Sequence, residues 1–224
     1  RYYSNELIEQ NRQTLDLYVA NLLGSLRRYE VLPRILGDLP TLRTALRDSS
    51  PAARDQANRL LSRLRKETGA DVIYLMAPDG NTLAASNWND EDSFVGLNFA
   101  FRPYFRNAMA VELGRFFGLG TTSGKRGYYF GAAVRDGEQT LGVLVVKVEL
   151  DDTETLWGNT PEQLMVTDNF GVVILTSRPE WRFRASRALD NDEREQIASD
   201  RPYPTLEPQD LTLDIDTWLI QSRE

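Results

Sequence analysis

Two basic side chains in the middle of the chain stand in settings that are unusual for surface cations. Arg102 lies between aromatic residues in NFAFRPYF (residues 98–105), and Lys147 is the only charge in the apolar run from 141 to 148. An arginine in such a setting can hold a carboxylate through two parallel hydrogen bonds. A buried lysine must find a counter-charge, reach solvent or lose its proton, because an unpaired buried cation is costly. Together the two cations suggest a receptor for a small dianion.

A run of three hydroxyl side chains lies between these two cations in the sequence. It consists of Thr121, Thr122 and Ser123, flanked by Gly120 and Gly124. Hydroxyl groups and the backbone N–H groups of such a loop suit a second carboxylate. A polar turn without a ligand is the alternative interpretation.

The segment GTTSGK (residues 120–125) resembles a phosphate-binding loop, but its spacing fails. That loop needs a glycine five residues before its second glycine, and Ser or Thr directly after the lysine. This chain has Leu119 at the first of these positions and Arg126 at the second. We therefore expect no nucleotide site here.

Composition and charge exclude further classes of function. The 224 residues include no His and no Cys, which removes histidine acid–base chemistry, thiol catalysis, disulfides and most zinc and haem sites. We expect no cofactor and no metal. The net charge of −7 argues against nucleic acid as a partner. The consecutive acids at 90–92 read as a solvated loop, and only a Ser123–Lys147 pair is left as a nominal hydrolase centre.

A long helix is predicted from about Asn5 to Leu32, and Pro33 ends it. Its apolar stripe has a heptad-like spacing, with Ile8, Leu15, Leu22 and Tyr29 at intervals of seven. The stripe either packs on the protein's own sheets or also pairs with a second copy of the chain. Further helices are expected after Leu39, from Ser50 to about Thr68, near 102–110 and near 190–199.

Two strand–turn–strand patterns, at residues 71–86 and 163–177, resemble each other. Each has a glycine in the turn and a serine six residues later: Gly80 with Ser86, and Gly171 with Ser177. An offset of about ninety residues suggests two related sheet modules in tandem. Short strands near 211–215 and 218–220 would complete the second module.

A strand at 114–120 and a β-hairpin over residues 128–150, turning at 136–137, are also predicted. Alternation along the hairpin puts Lys147 on one face, and counting across the turn adds Tyr128 and Phe130 to that face. An ion pair with Glu149 is the structural alternative to a ligand for this lysine.

The segments 98–105, 114–130 and 141–150 resemble the extracytoplasmic sensor domains of four-carbon dicarboxylate sensor histidine kinases. These domains form part of the tandem PAS-like (PDC, or double Cache) class. The resemblance is specific over roughly 70–155, and its layout covers the chain. It implies an α+β fold: a long N-terminal helix and connecting helix (1–48), a membrane-distal ligand-binding module (49–158) and a smaller membrane-proximal module (159–224).

The resemblance also assigns a ligand site. Its binding arginine falls on Arg102, its hydroxyl-rich loop on 121–123 and its binding lysine on Lys147, and we add Phe101 and Tyr128 as neighbours. Three residues before the arginine the family pattern has a tyrosine, whereas this chain has Phe99. The lost hydroxyl is worth about 1 kcal/mol, so 2-oxoglutarate or another longer diacid is an alternative to succinate, fumarate or malate.

The same resemblance implies a non-enzymatic domain on the periplasmic side of the inner membrane. Its expected partners are a small dicarboxylate, a second copy of the chain through the N-terminal helix, and a cytoplasmic response regulator reached through a kinase region. A chemoreceptor ligand-binding domain and a purely structural module are the alternatives. No window of about 18 apolar residues suited to crossing a membrane is present, and both ends read as boundaries within a longer chain.

Overall fold

The structure is a computed structural model that describes residues 2–48, 50–111, 113–157 and 163–203. It is an α+β protein with a five-stranded antiparallel sheet, a second sheet of two strands, and helices around both. The elements in chain order are α1 (Tyr2–Glu30), α2 (Leu32–Gly37), α3 (Pro40–Arg47), α4 (Pro51–Thr68), β1 (Val72–Met76), β2 (Thr82–Ala85), α5 (Pro103–Val111), β3 (Leu113–Leu119), β4 (Arg126–Asp136), β5 (Gln139–Glu149), α6 (Asp151–Trp157), β6 (Met165–Thr167), β7 (Val173–Thr176), a 3₁₀ turn (Pro179–Trp181) and α7 (Asn191–Asp200).

The predicted helix ends are confirmed where local side-chain chemistry sets them. Ser50 caps α4 through its hydroxyl, which accepts a hydrogen bond from the Ala53 N–H at 3.3 Å. Gly69 ends the same helix in the left-handed conformation (φ +72°) that glycine adopts without strain. The long first helix ends at Glu30, because Pro33 lies in the first turn of the separate helix α2.

The larger sheet has the strand order β2-β1-β5-β4-β3 and is covered on both faces. On one face, α3 and α4 contribute Leu42 and Leu61, which pack with Ile73, Leu144 and Phe130. On the other face, α5 and the loop before it build an aromatic core with β1, β4 and β5. The candidate site belongs to this second, aromatic face.

The hairpin formed by β4 and β5 corrects one prediction. Its turn is centred on 137–138, one residue later than expected, and Arg135 pairs with Thr140. A β-bulge between Val134 and Arg135 then shifts the register, so that Lys147 lies opposite Tyr129. Because side chains alternate along a strand, this single extra residue moves every later pair by one face.

The expected positions of two aromatic residues are therefore wrong. Without the bulge, continued counting would place Tyr128 opposite Lys147. Instead, Tyr128 and Phe130 pack on the face of the sheet that α3 and α4 cover, with Val146 and Val148 of β5. The sequence does not reveal the bulge, since nothing in the continuous apolar run marks it.

The two strand–turn–strand units share their hydrogen bonds as well as their pattern. Gly80 and Gly171 both have positive φ, at +85° and +79°. The Ser86 hydroxyl accepts from Ile73 N–H at 2.9 Å, and the Ser177 hydroxyl accepts from Leu164 N–H at the same distance. The predicted repeat is confirmed. The division at 158/159 falls in 158–162, and the strands predicted at 211–215 and 218–220 fall in 204–224, both outside the described residues.

The helix α1 packs on the protein itself through its C-terminal half. Leu22 and Leu26 contact the apolar core around β7 and α6, and Tyr29 is buried against α4 and the larger sheet. Leu17, on the same helix, is 73% exposed. The first of the two interpretations of the stripe is thus confirmed for this half, and pairing with a second copy stays a prediction. Within the described chain, no helix combines the length and the apolar character needed to cross a bilayer.

Candidate functional site

A cavity opens on the aromatic face of the larger sheet, between α5 and the 120–124 turn. It has a volume of ≈ 220 Å³ including its open mouth. Its lining is mainly aromatic, with one cation and two threonines: Tyr74, Phe94, Phe99, Arg102, Tyr104, Gly120, Thr121, Thr122 and Tyr129. Three of the residues singled out in the sequence for anion binding, the arginine and the two threonines, thus share one cavity.

Arg102 is 2% exposed and lies directly before α5. Its Nη1 donates to the carbonyl oxygens of Asp200 (3.2 Å) and Arg201 (2.6 Å), and its Nη2 donates to that of Leu119 (2.8 Å). Within the described residues, no carboxylate lies within ion-pair distance of this guanidinium. Arg102 is therefore a buried cation that neutral carbonyl groups hold in place, facing a cavity.

The 120–124 turn is closed by its own backbone. Gly124 N–H donates to the Gly120 carbonyl at 2.8 Å, and Gly124 has φ +65°. Thr121 and Thr122 are exposed at the mouth of the cavity. Ser123 does not line the cavity, and its hydroxyl accepts from Lys147 Nζ at 3.3 Å. The predicted hydroxyl loop is thus divided between the cavity and the lysine behind it.

Lys147 is completely buried and forms an ion pair with Asp71, Nζ to Oδ2, at 2.6 Å. The predicted ion pair between Lys147 and Glu149 is wrong, since Glu149 pairs instead with Lys125 at 2.9 Å. Asp71 directly precedes β1, whose first residue, Val72, lies opposite Lys147. Sequence reasoning missed Asp71 because it becomes a neighbour only through the pairing of β1 with β5.

Three aromatic residues predicted for the site lie in different places. Phe99 lines the cavity and is 6% exposed. Phe101 is half-buried outside the lining, where its ring lies 5.1 Å from the Arg102 guanidinium and 4.9 Å from that of Arg201. Tyr128 lies on the opposite face of the sheet, for the reason given above. Of the three, Phe99 alone contributes to the wall.

Three tyrosines that the sequence did not single out complete the wall. Tyr74 and Tyr104 share a hydrogen bond between their hydroxyl groups at 2.7 Å, and Tyr129 stacks on Tyr104 with 5.2 Å between ring centres. Burial raises the pKa of all three phenols, which therefore keep their protons. Two hydroxyls joined by one hydrogen bond retain one further proton, which can be donated to a ligand. The sequence signals were that Tyr104 lies two residues after Arg102 and that β1 carries a tyrosine among aliphatic residues.

The arrangement suits anion binding and disfavours hydrolysis. The Ser123–Lys147 pair lacks a free base, since Lys147 is committed to Asp71. Over the described ranges, no cluster of three acidic, His or Cys side chains could hold a metal ion. A buried cation without a carboxylate, hydroxyl donors and aromatic walls are together suited to holding a small carboxylate.

Comparison with known proteins places the chain in a family. No protein-family model matches it. The chain is 62% identical over 224 residues to the C4-dicarboxylate transport sensor protein DctB of Pseudomonas aeruginosa, of which it covers 37%. It is 37% identical over 186 residues (83% of this chain) to the DctB of Rhizobium meliloti, of which it covers 30%. The chain thus spans about a third of the length of these relatives.

Solved structures agree with this placement. The sensor domain of the V. cholerae histidine kinase DctB matches with a TM-score of 0.86 and 33% identity, covering 92% of this chain and 81% of that one. The ligand-binding domain of the Pseudomonas fluorescens chemoreceptor CtaA, in complex with L-leucine, shares the fold at a TM-score of 0.62 and 13% identity, covering 83% of this chain and 77% of that one. The chain is α+β with a Cache-type sensor fold, and it belongs to the family of DctB-like sensor domains.

Proposed function

We propose that this chain is the ligand-binding part of a sensor histidine kinase and that it binds a small dicarboxylate such as succinate, fumarate or malate. The observation that carries the proposal is the buried guanidinium of Arg102, which faces a cavity and is paired with no carboxylate in the described residues. A buried cation of this kind is stabilised when an anion arrives, because burial without a counter-charge is unfavourable. The names of the relatives in P. aeruginosa and R. meliloti agree with a four-carbon ligand.

One carboxylate of the ligand binds Arg102. A guanidinium has five N–H donors, and the carbonyls of residues 119, 200 and 201 take three of them. The hydroxyl groups of Thr121 and Thr122, and the spare proton of the Tyr74–Tyr104 pair, supply further hydrogen bonds from the wall of the cavity.

The other carboxylate is directed towards Lys147. This ammonium group has three donors, of which the Ser123 hydroxyl accepts one, and its charge is paired with Asp71. Because Lys147 does not line the cavity and is hydrogen-bonded to Ser123 of the 120–124 turn, binding requires that turn to move. The ligand then shares Lys147 with Asp71, so this end contributes less than the Arg102 end.

The affinity follows from a few charge-assisted hydrogen bonds. Each contributes about 1.5–3 kcal/mol net, and capture of a small ligand costs translational and rotational freedom. A dissociation constant of roughly micromolar to sub-millimolar results. Phe99 offers no hydroxyl to the ligand, which keeps 2-oxoglutarate as an alternative to the four-carbon acids.

The biological role extends this proposal to the full-length protein. The chain acts without catalysis of its own as the periplasmic domain of an inner-membrane kinase, and its ligand module spans residues 49–158. The signal passes as a population shift to α1, which pairs with a second copy of the chain. The kinase region and a cytoplasmic response regulator receive the signal outside this chain.

Isothermal titration calorimetry with succinate, fumarate, malate and 2-oxoglutarate tests the ligand class. We expect saturable binding of at least one diacid, lost in Arg102→Gln and weakened in Lys147→Gln. Arg115→Gln is the matched control, because Arg115 is an exposed arginine that pairs with Glu30 away from the cavity. Absence of binding to all four acids, or full affinity in Arg102→Gln, contradicts the proposal. L-Leucine in the same panel distinguishes an amino-acid receptor.

A further inference from the structure

A short segment at the end of α7 holds two separate parts of the candidate carboxylate site. It consists of Asp200, Arg201 and Pro202, and we call it the 200–202 segment. The first two of these residues accept hydrogen bonds from Arg102 through their carbonyl oxygens, at 3.2 and 2.6 Å. The Pro202 carbonyl accepts from Leu119 N–H at 2.7 Å. Because Arg102 also donates to the Leu119 carbonyl at 2.8 Å, the three parts form a closed ring of hydrogen bonds.

The ring joins parts of the chain that are far apart in sequence. Leu119 is the last residue of β3 and precedes the 120–124 turn, whose threonines line the cavity. Arg102 forms another part of the same wall. The 200–202 segment follows a helix of the C-terminal unit, residues 163–203, which contains the two-stranded sheet. Arg102 and the strand that leads into the 120–124 turn are thus both hydrogen-bonded to the C-terminal unit.

Side chains outside the cavity hold the 200–202 segment in place. Asp200 is 7% exposed, and its carboxylate accepts from Arg106 Nη2 at 2.5 Å and from Gln196 Nε2 at 2.7 Å. The guanidinium of Arg201 lies over the ring of Phe101 at 4.9 Å. None of these side chains lines the cavity. The segment can therefore be loosened by substitutions that leave the cavity wall unchanged.

The carbonyl groups suit the task of orienting a guanidinium for an anion. The last carbonyls of a helix carry a partial negative charge, which stabilises a buried arginine without neutralising it as a carboxylate would. Three N–H groups of Arg102 are directed at carbonyls, and two of these carbonyls belong to the 200–202 segment. Loss of this hold would let the guanidinium adopt other rotamers, and binding would then have to order it again.

We propose that the 200–202 segment positions Arg102 and the 120–124 turn, and that occupancy of the cavity is transmitted through these hydrogen bonds to the segment and to the last turn of α7. The inference rests on the dicarboxylate site proposed above. A ligand that binds Arg102 and the threonines bridges two groups that share this anchor, so binding tightens the ring. By thermodynamic linkage, loosening the ring must weaken the ligand in turn.

The variant Asp200→Asn tests the positioning role, with succinate as the probe. It removes the ion pair with Arg106 but keeps the size and the backbone of the residue. We expect the dissociation constant for succinate to rise about three- to ten-fold, although side chain 200 does not line the cavity. Arg106→Gln, which also removes the hydrogen bond to the Phe101 carbonyl, should give at least the same rise. The double variant should bind no more weakly than Arg106→Gln alone, because both substitutions break the same ion pair.

A matched control lies at the other end of the same helix. Arg187 forms an exposed ion pair with Glu193 of α7, 2.6 Å long and remote from Arg102. Arg187→Gln should leave the affinity for succinate unchanged within two-fold. Melting curves without ligand show whether Asp200→Asn acts through general unfolding, in which case its affinity at a lower temperature would recover.

Amide hydrogen exchange measures transmission directly. In the wild type, succinate should slow exchange at residues 197–203 and at Leu119, while residues 165–176 of the same unit stay unchanged. In Asp200→Asn at saturating succinate, slowing should persist at residues 121–125 and be lost at 197–203. If the wild type binds succinate but Asp200→Asn binds it equally or more tightly, the positioning role is refuted and the site itself stands. If no diacid binds the wild type, both proposals fail.

Discussion

Two buried arginines of this protein are held in opposite ways. Arg126, 7% exposed, makes two hydrogen bonds to Glu154 (2.6 and 2.7 Å) and one to Asp151 (2.5 Å). Arg102, 2% exposed, meets three carbonyl groups instead. The first lies where β4 meets α6 and the C-terminal unit, the second beside the cavity. A cation that has its carboxylates serves the structure, whereas one that has only dipoles can serve a ligand.

The charges around Arg126 confirm its structural character. Burial by itself would raise the pKa of Glu154, but hydrogen bonds from Arg126, the Thr176 N–H and Arg182 outweigh it and lower that pKa. Glu154 thus contributes stability above its unfolded-state pKa, and this contribution is lost as the pH falls through the lowered folded-state value. The network joins the larger sheet to the C-terminal unit, and a ligand has no free cation to find there.

The largest effect is expected from Glu154→Leu, which removes the shared carboxylate of the Arg126 network. Arg126 would keep Asp151 and the Ile174 carbonyl, and Arg182 would lose its carboxylate partner. We expect the free energy of unfolding to fall by about 3–5 kcal/mol, measured by urea titration at neutral pH. Glu180→Gln, which breaks an exposed pair with Arg178, should change it by less than about 0.5 kcal/mol. A loss below about 1 kcal/mol in Glu154→Leu would show that the network is not structural.

Lys147 has a carboxylate partner, as Arg126 does, but it is also a candidate ligand-binding residue, as Arg102 is. The variant Asp71→Asn tests whether its role is structural only. The substitution leaves a completely buried ammonium without its carboxylate, so stability should fall by about 2–3 kcal/mol. If Lys147 also binds the ligand, succinate supplies the missing counter-charge. The ligand-induced rise in melting temperature should then be larger in Asp71→Asn than in the wild type. Equal rises would assign Lys147 to structure alone.

Arg102→Met should affect stability less than Glu154→Leu, by about 1–2 kcal/mol. The three carbonyl acceptors lose a donor, but no carboxylate is left unpaired, and a buried uncompensated charge disappears. Urea titrations of the two variants side by side, without ligand, check the order. A loss in Arg102→Met as great as that in Glu154→Leu would make Arg102 a structural arginine and remove the contrast.

A smaller change is expected from Phe99→Tyr, which adds a hydroxyl to the cavity wall. One further hydrogen bond is worth about 1 kcal/mol, or roughly five-fold in affinity. We expect this gain for succinate and a lesser one for 2-oxoglutarate, measured by competition calorimetry. Phe94→Tyr, another substitution in the same lining, serves as a control for added polarity. An equal gain for both diacids would show that residue 99 does not select ligand length.

The smallest effect on stability is expected at Asp168. Backbone N–H groups hold this carboxylate, as backbone carbonyl groups hold Arg102. Asp168 accepts hydrogen bonds from the N–H groups of Phe170 and Val172, and burial raises its pKa from 3.8 to about 6 despite them. The folded state thus binds the proton more tightly, so the contribution of Asp168 to stability decreases as the pH rises from 3.8 to about 6. Asp168→Asn should remove this slope from a series of melting curves over that range. An unchanged slope would contradict the shift.

Much of the fold was predictable because its signals are local. Ser50 and Gly69 mark the ends of α4 through chemistry within a few residues of each, and the apolar run 141–148 identifies β5. The tandem repeat was visible because Gly80 and Gly171 occupy turns that need positive φ. The face of Tyr128 was not predictable, since a β-bulge leaves no mark on a continuous apolar run.

For the site, the sequence by itself determined which groups are present: an arginine among aromatic residues, a hydroxyl turn and a lysine inside an apolar strand. The tertiary structure alone decided their partners. Asp71 reaches Lys147 through the pairing of β1 with β5. Two of the three carbonyl groups that hold Arg102 belong to Asp200 and Arg201, which lie 98 and 99 positions further along the chain. Whether a buried charge is satisfied depends on groups that folding brings within hydrogen-bond distance, and sequence proximity carries no information about them.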